Sequence, residues 1–175
     1  RIVTDYLSTL LFCPTENAVK TLKNEGVTDG VIFSGDVMYD SYLKFSVKAK
    51  DIKPHSVENK SNYILATIHR QENTDFQHRL TSIFESLNKL NNKLRIIMPL
   101  HPRTKEKMEK YNIKTNIEIL PPVGYLDMIS LLNRSKFVIT DSGGLQKEAF
   151  FAKKKCIIVR EETEWTELID INVNY

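Results

Sequence analysis

The sequence predicts an α/β fold, a doubly wound, Rossmann-like parallel sheet with helices on both faces. Short apolar runs rich in β-branched residues recur along the chain, and most are separated by segments in which apolar residues have helical spacing. Several runs are apolar at consecutive positions, which is typical of strands buried on both faces. Strands of this kind that alternate with helices form a parallel sheet covered on two sides.

Seven apolar runs are predicted as strands. They cover residues 10–13, 31–33, 63–68, 95–100, 117–120, 137–140 and 156–159. Helical spacing is found in the segments PTENAVKTLKNEG, FQHRLTSIFESLNKLNN, YLDMISLLNRSK and GGLQKEAFFAKK. In the first of these helices Thr15 suits the N-cap, and Gly26 suits the position that closes the C-terminus.

Residues 48–60 are predicted to be a linker, because they are polar, include Pro54 and show no periodicity. Residues 1–47 are then the tail of one Rossmann-like domain, and residues 61–175 are an incomplete second one. The chain begins in mid-pattern at Arg1, without an initiator Met, and stops at Tyr175 just after a helix-like stretch. We therefore expect it to be a piece of a larger protein.

The composition permits a packed core and disfavours several classes of protein. Of the 175 residues, 41% are hydrophobic and 27% are charged, and the net charge of +3 comes from scattered basic residues. This pattern disfavours a nucleic-acid partner but suits a small anionic ligand. Cys13 and Cys156 lie in apolar runs, which favours buried free thiols in a reducing compartment over a disulfide.

Metal, membrane and secretion signals are weak in this sequence. Two cysteines are too few for a zinc site. No apolar run approaches the ~20 residues of a membrane span, and no secretory leader is recognisable. We expect a cytoplasmic protein with no metal, no cofactor and no membrane partner.

Polar residues cluster after the predicted strands. All strands of a parallel sheet end at the same edge, and ligands bind in the crevice outside it. A single histidine at a strand end is more often structural, but here His69 and His101 both occupy such positions, together with three arginines and a Gly-Gly turn. The cluster favours a ligand site. His55 and His78 lie in the linker and on a polar helix face, and are given no role.

The turn Asp141-Ser142-Gly143-Gly144 allows two interpretations. Backbone N–H groups at a helix N-terminus that follows a glycine-rich turn can bind a phosphate. Alternatively, Asp141 or Ser142 simply caps the helix and the glycines make the turn tight. The ten residues DSGGLQKEAF do not decide between them.

Four motifs, in order and spacing, resemble those of the UDP-N-acetylglucosamine 2-epimerases, whose two Rossmann-like domains have the GT-B arrangement. They are TIHRQEN, PLHPRT, TDSGGLQKEA and VREETEWTEL. The opening of the chain resembles the end of the family's first domain, so that the likeness covers essentially all residues. It implies the UDP-binding half of an enzyme that interconverts UDP-GlcNAc and UDP-ManNAc for cell-surface polysaccharide biosynthesis.

The resemblance implies binding roles around the turn. Ser142, Gly143 and Gly144 would hold the diphosphate of UDP through the hydroxyl and backbone N–H groups. Glu148 would accept hydrogen bonds from the ribose hydroxyls, although taken alone it reads as a solvated helix residue. The segment PPVGYLDMI would form the wall for the uracil, with Tyr125 packing rather than reacting.

The other motifs supply further candidates. His69, the candidate catalytic residue, matches the histidine of the family's His-Arg-x-Glu-Asn motif, in which Arg70 and Glu72 are the substrate-binding neighbours. Arg160 and Glu164 match an Arg-x-x-Thr-Glu motif that faces the cleft, while a surface ion pair explains them almost as well. Trp165 stands where many members have other residues, and is assigned to packing.

In this family the reaction is thought to proceed by loss of UDP across C1–C2 of the sugar, followed by re-addition. The resemblance places the acidic catalytic residues upstream of Arg1, so that the isolated chain is expected to be inactive. The full-length protein is expected to be a homodimer. A hydrolysing epimerase, a GT-B glycosyltransferase and a non-catalytic nucleotide-sugar sensor remain open as alternatives.

Overall fold

The structure, a computed structural model, describes residues 1–52, 62–162, 165, 168 and 169. Its helices are α1 Ile2–Leu7, α2 Glu16–Asn24, α3 Val37–Ala49, α4 Gln71–Thr74, α5 Gln77–Asn91, α6 Pro102–Lys110, α7 Tyr125–Arg134 and α8 Gly143–Phe151. Its strands are β1 Leu11–Cys13, β2 Val31–Phe33, β3 Ile64–Thr67, β4 Ile96–Pro99, β5 Glu118–Leu120, β6 Phe137–Thr140 and β7 Cys156–Ile158. Each of the seven predicted strands is confirmed, with ends trimmed by a residue or two where the prediction was longer.

The chain divides into two compact units, Arg1–Leu43 and Lys44–Tyr175. Helix α3 crosses that boundary and continues to Ala49, so the predicted linker begins inside a helix. Residues 50–52 are held by α7, because the Ser130 hydroxyl donates to the Ile52 carbonyl at 2.7 Å and Arg134 donates to the carbonyls of Lys50 and Ile52. Residues 53–60 of the predicted linker, with His55, lie outside the described residues.

The first unit is a small β-α-β arrangement. Strands β1 and β2 pair in parallel, and Leu22 of α2 packs with Leu11 and Cys13. The predicted cap is confirmed, since the Thr15 side chain accepts a hydrogen bond from the Ala18 N–H. Gly26 closes the helix as predicted, with a φ of +83° that glycine adopts without strain.

The second unit contains a five-stranded parallel sheet in the order β5-β4-β3-β6-β7. The chain moves outward from β3 to β5 and then returns, so that β6 pairs with the other edge of β3. Because crossovers between parallel strands are right-handed, this reversal places helices on both faces of the sheet. It also makes the carboxyl ends of β3 and β6 the topological switch point, where a ligand crevice opens.

Burial explains why the central strands are apolar throughout. Every residue of β3 and β4 is buried. Phe84 of α5 and Met108 of α6 pack with Ile64 and Met98 in one cluster. Both cysteines are buried and free, as predicted, and burial raises the pKa of the Cys156 thiol to about 12, which makes it a poor nucleophile. Among the described helices, none is long and apolar enough to span a membrane.

Candidate functional site

The ends of β3 and β6 are joined at the switch point by two buried hydroxyls. The side-chain oxygens of Thr67 and Thr140 lie 2.6 Å apart, and these two residues are also partners in the strand register. Thr140 Oγ1 accepts the backbone N–H of Ser142 at 2.9 Å. The first residues after β6 are therefore anchored to the strand that they leave.

Asp141, the residue directly after β6, holds the segment after β3. Its carboxylate is fully buried. It accepts the backbone N–H groups of His69, at 2.9 Å, and Arg70, at 2.8 Å, and the side-chain amide of Asn73, at 3.0 Å. Asn73 also donates to the Val159 carbonyl at 2.8 Å, just beyond β7. One carboxylate thus fixes the start of the TIHRQEN motif against the strand that leads to the glycine turn.

His69 is half-buried between Asp141 and His101. Its Nδ1 lies 3.4 Å from Asp141 Oδ1, and its ring stacks on that of His101 with the centroids 5.5 Å apart. Burial lowers the pKa of His69 below its ordinary value of 6.5; the Asp141 carboxylate opposes this effect, while His101 and Arg70 add to it. The imidazole is consequently neutral at pH 7 and can accept a proton or donate a hydrogen bond.

His101 is positioned by the start of α6. It is the N-cap residue of that helix, and its Nδ1 accepts the Arg103 N–H at 3.2 Å. Arg103 in turn donates to Asp75 at 2.7 Å and to Thr74 at 3.0 Å, which ties the first turn of α6 to the end of α4. His101, which stacks on His69, is therefore held at the start of α6, and that start is itself bonded to the end of α4.

The glycine turn has the geometry of a helix N-terminus. Ser142 is the N-cap of α8, and its hydroxyl oxygen accepts the Leu145 N–H at 3.4 Å. The capping interpretation is therefore confirmed for Ser142. It does not exclude anion binding, because the hydroxyl proton can still donate, and Gly143 and Gly144 are the first two residues of the helix, where N–H groups have no intrahelical acceptor.

A cavity of ≈ 320 Å³ lies at the switch point. Its polar groups include those of His69, Ser142 and Glu148, and most of the other lining residues are apolar. The complete lining is Thr67, Ile68, His69, Pro99, Leu100, His101, Pro122, Val123, Tyr125, Met128, Ser142, Gly144, Leu145 and Glu148. A mostly apolar cleft with a few converging polar groups is the usual form of a small-molecule site.

Glu148 is not the solvated helix residue that its local sequence suggests. It is half-buried, one helical turn after the glycines, and lines the cavity. Burial raises the pKa of its carboxyl above the ordinary value, and a hydrogen bond from Tyr125 opposes this shift. Tyr125 packs edge-on against Phe45, with ring centroids 5.5 Å apart. Tyr125 therefore packs as predicted and also hydrogen-bonds to Glu148.

Four of the predicted residues are not part of the cavity wall, and one of them, Arg160, lines a separate pocket with Asn73 and Val159. Arg160 Nε is 3.3 Å from Glu72 Oε1, and the Arg160 side chain is only 9% exposed. The sequence paired Arg160 with Glu164, which lies outside the described residues. Arg70 contributes its backbone N–H to Asp141, and neither Arg70, Glu72, Gly143 nor Arg160 is among the lining residues of the cavity.

Trp165 covers the back of the glycine turn. Its indole N–H donates to the Gly143 carbonyl at 3.0 Å, and the Lys147 ammonium lies 3.8 Å from the ring centroid. These contacts agree with the packing role predicted for Trp165. Within the part of the chain that the structure describes, no group of three or more His, Cys, Asp or Glu side chains is placed to hold a metal ion.

Three residues have contacts in the site that the sequence did not predict. Asp141 was considered only as a helix cap, His101 only as a neighbour of the edge, and Tyr125 only as packing. A signal existed for Asp141, since a carboxylate at the end of a buried strand needs several donors. Nothing local indicated that these donors would come from the segment after β3.

The fold defines an α/β protein of the Rossmann-like class, with a cavity at the switch point of its larger sheet. The family described as UDP-N-acetylglucosamine 2-epimerase matches residues 1–175. The chain therefore belongs to the UDP-N-acetylglucosamine 2-epimerase family. The predicted fold class is confirmed, since parallel sheets with flanking helices are shared with structural neighbours of GT-B design.

Individual relatives differ in the sugar that they are named for. The chain is 48% identical to the UDP-2,3-diacetamido-2,3-dideoxy-D-glucuronate 2-epimerase of Pseudomonas aeruginosa, over 99% of this chain and 50% of that protein. It is 36% identical to the UDP-N-acetylglucosamine 2-epimerase of Methanocaldococcus jannaschii, over 99% of this chain and 51% of that protein. The crystal structure of the latter enzyme with UDP-GlcNAc and UDP matches with a TM-score of 0.90 and 34% identity, over 99% of this chain and 51% of that one. The chain thus spans about half the length of the curated relatives it matches.

Proposed function

We propose that the full-length protein is a UDP-GlcNAc 2-epimerase that interconverts UDP-GlcNAc and UDP-ManNAc, and that this chain is its UDP-binding half. The observation that carries the proposal is the cavity at the switch point, where His69, Ser142, Gly144 and Glu148 converge. A nucleoside diphosphate needs an anion-binding turn, acceptors for its ribose and an apolar wall for its base. The cavity offers all three.

Each part of UDP has a matching surface. The diphosphate is bound by the Ser142 hydroxyl and the N–H groups of Gly143 and Gly144, at the positive end of α8. The ribose hydroxyls donate to Glu148, one helical turn further on. The uracil packs against the apolar wall that contains Pro122 and Val123. Arg70, Glu72, Arg160 and Glu164 then belong to the rim around the sugar and phosphates.

The reaction balances as an elimination and an addition. A base removes the C2 proton of the sugar, a C1–C2 double bond forms, and the C1–O bond breaks with its electron pair leaving on UDP. UDP then adds back to C1 as a proton is delivered to the opposite face of C2. Removal of the weakly acidic C2 proton requires a positioned base, and departure of UDP requires stabilisation of the diphosphate.

The structure of the site matches the second of these requirements. His69 borders the cavity, and its imidazole, once it has accepted a proton, can donate to the leaving diphosphate or pass the proton on. The first-domain carboxylates that the family resemblance implies would supply the base. No metal or cofactor takes part in this scheme.

A second candidate substrate is UDP-2,3-diacetamido-2,3-dideoxy-D-glucuronate. The observation that favours it is the 48% identity to the Pseudomonas aeruginosa enzyme named for that sugar, against 36% for the UDP-GlcNAc enzyme of Methanocaldococcus jannaschii. The two sugar nucleotides share UDP and the 2-acetamido group, and differ at C3 and C6. The UDP cavity therefore serves both, and the choice lies with residues around the sugar.

The test is an acceptor-free assay of the full-length protein with each sugar nucleotide in D2O. We expect the C2 epimer to form with deuterium at C2, detected by NMR. The substrate with the larger kcat/KM identifies the natural sugar. Release of free UDP and free sugar would identify a hydrolysing epimerase, and strict dependence on an acceptor would identify a glycosyltransferase. UDP binding without any turnover would leave a nucleotide-sugar sensor.

The proposal includes a cytoplasmic homodimer. The buried free thiols of Cys13 and Cys156 suit a reducing compartment. Light scattering of the full-length protein measures the mass in solution, and a monomeric mass would remove the dimer from the proposal.

A further inference from the structure

We propose that Asp141 is a positioning residue for His69: its buried carboxylate fixes the orientation of the imidazole and favours the tautomer in which Nδ1 carries the proton. The catalytic consequence rests on the proposed function. The structural part concerns the unliganded protein and can be tested separately.

The first argument is that Asp141 is buried and surrounded by hydrogen-bond donors. One oxygen, Oδ2, accepts three N–H groups, from the backbones of His69 and Arg70 and from the Asn73 side chain, at 2.8–3.0 Å. Only donors face this oxygen, so it acts purely as a hydrogen-bond acceptor. The residue is 0% exposed, so water does not weaken the field of the carboxylate.

The second argument is that Asp141 lies close to both the backbone N–H and the imidazole ring of His69. The carboxylate accepts the backbone N–H of His69 at 2.9 and 3.1 Å, and Oδ1 lies 3.4 Å from Nδ1 of the same residue. A distance of 3.4 Å exceeds that of a normal hydrogen bond, so the attraction is mainly electrostatic. It favours a proton on the facing nitrogen and leaves the Nε2 lone pair unprotonated in the neutral ring.

The third argument is the support on the ring face. His101 stacks on His69 with an interplanar angle of 30°, and is itself fixed as the N-cap of α6. Burial is the largest influence on the pKa of His69 and lowers it, Asp141 raises it, and His101 and Arg70 lower it. Asp141 therefore offsets part of the burial effect. An Asp141 that served only to join β3 and β6 would need its backbone contacts but not this approach to the ring.

The tautomer is measured in the full-length protein with ¹⁵N-labelled histidine, and the His69 signals are assigned by their loss in His69→Gln. Above the pKa of His69, we expect the Nδ1–H tautomer to predominate. Asp141→Asn should shift the balance towards Nε2–H and lower the pKa of His69, because the charge that raises it is removed. The control is Glu118→Gln. Glu118 lies on edge strand β5 and pairs with Arg95, and neutralising its carboxylate should change neither the tautomer nor the pKa of His69.

Two results overturn the structural part: a predominant Nε2–H tautomer in the unmodified protein, or an unchanged tautomer and pKa in a folded Asp141→Asn variant. If that variant does not fold, the measurement on the unmodified protein decides alone.

Kinetics test the catalytic consequence. Asp141→Asn should lower kcat about 100-fold, the usual effect of a misplaced catalytic group, with little change in KM. Asp141→Glu, which keeps the carboxylate, should recover part of the loss. Unchanged kcat in Asp141→Asn, with His69→Gln impaired, would overturn this consequence. Full activity of His69→Gln, with the Nδ1–H tautomer observed, would instead refute the proposed role of His69 and leave the positioning intact.

Discussion

His69 borders the cavity, and its pKa is lowered by burial, His101 and Arg70 and raised by Asp141. In the full-length protein, His69→Ala should lower kcat by roughly 10²- to 10⁴-fold, the usual contribution of a positioned acid or base. Steady-state kinetics, with circular dichroism to confirm folding, measure the effect. His78→Ala, on an exposed position of α5, is the matched control and should change little. Equal behaviour of the two variants would reduce His69 to an ordinary strand-end histidine.

Glu148 should show opposite effects on stability and on binding. Its pKa is raised in the folded protein, so stability falls as the pH rises from the ordinary pKa through the raised one, and above that window the ionised carboxylate destabilises the fold. At pH 7, Glu148→Gln should therefore raise the Tm of the unliganded protein. The same change should weaken UDP binding about 10- to 100-fold, since it removes a charged acceptor from the ribose.

Calorimetry measures both quantities, and Glu106→Gln, at an exposed position of α6, is the control. In the unmodified protein, UDP affinity should fall as the pH is lowered through the raised pKa. A loss of stability together with unchanged UDP affinity in Glu148→Gln would assign Glu148 to the fold rather than to the ligand.

At the scale of elements, the strand-turn-helix of β6 and α8 combines capping with ligand binding. Ser142→Ala removes the N-cap, which should cost about 0.5–2 kcal/mol of stability, and one hydrogen bond to phosphate, roughly 0.5–1.5 kcal/mol of UDP affinity. Gly143→Leu should keep the helix, because Gly143 is already helical, but should block the approach of the diphosphate. Titration of the full-length protein with UDP distinguishes the two variants. Unchanged affinity in a folded Gly143→Leu variant would leave the turn with a structural role alone.

The turn before β2 gives a test of the first unit. Gly30 has a φ of +69°, and a Cβ placed there would lie 2.1 Å from the Thr9 carbonyl oxygen. Gly35 has a φ of +74° but nothing within 4 Å of its Cβ position. Gly35→Ala should cost about 1 kcal/mol of backbone strain, and Gly30→Ala should cost about 1–3 kcal/mol more through the clash. Urea unfolding of the full-length protein measures both, and equal costs would contradict the clash argument.

The strands were predictable because their signal is local. The run after Asn62 is apolar at successive positions since β3 is covered on both faces, and β-branched residues mark the β6 run in the same way. The order of the strands could not be predicted in this way, because no residue within β6 specifies that β6 pairs with β3 rather than with β5. For the same reason the role of Asp141 was missed: its donors lie 68–72 residues earlier in the chain.

The candidate site was predicted where motif and topology agree and missed where packing decides. His69, Ser142, Gly144 and Glu148 meet at one cavity, as the rule for parallel sheets anticipates. The burial of Glu148 follows from how α8 packs, which its polar sequence does not reveal. The pairing of Arg160 with Glu72 likewise follows from the position of α4 beside the end of β7.

At the scale of the whole molecule, the chain spans about half of the relatives it matches. The carboxylates proposed to act as the base lie outside it. We expect the purified 175-residue chain not to epimerise UDP-GlcNAc, and the full-length protein to do so. NMR assays of both, at equal concentrations, compare them. Turnover by the isolated chain, free of contaminating enzyme, would relocate the catalytic groups to the residues described above.

Trp165 is the only tryptophan in the 175 residues, and its indole N–H is bonded to the carbonyl of Gly143. The chain therefore has a single indole, and it is hydrogen-bonded to the turn proposed to receive the diphosphate. Indole fluorescence is sensitive to the polarity and hydrogen bonding of its surroundings. Binding of a ligand at the turn should therefore change the fluorescence of Trp165, without any added label. Ligand screening could then proceed on this chain by spectroscopy, even where no chemistry takes place.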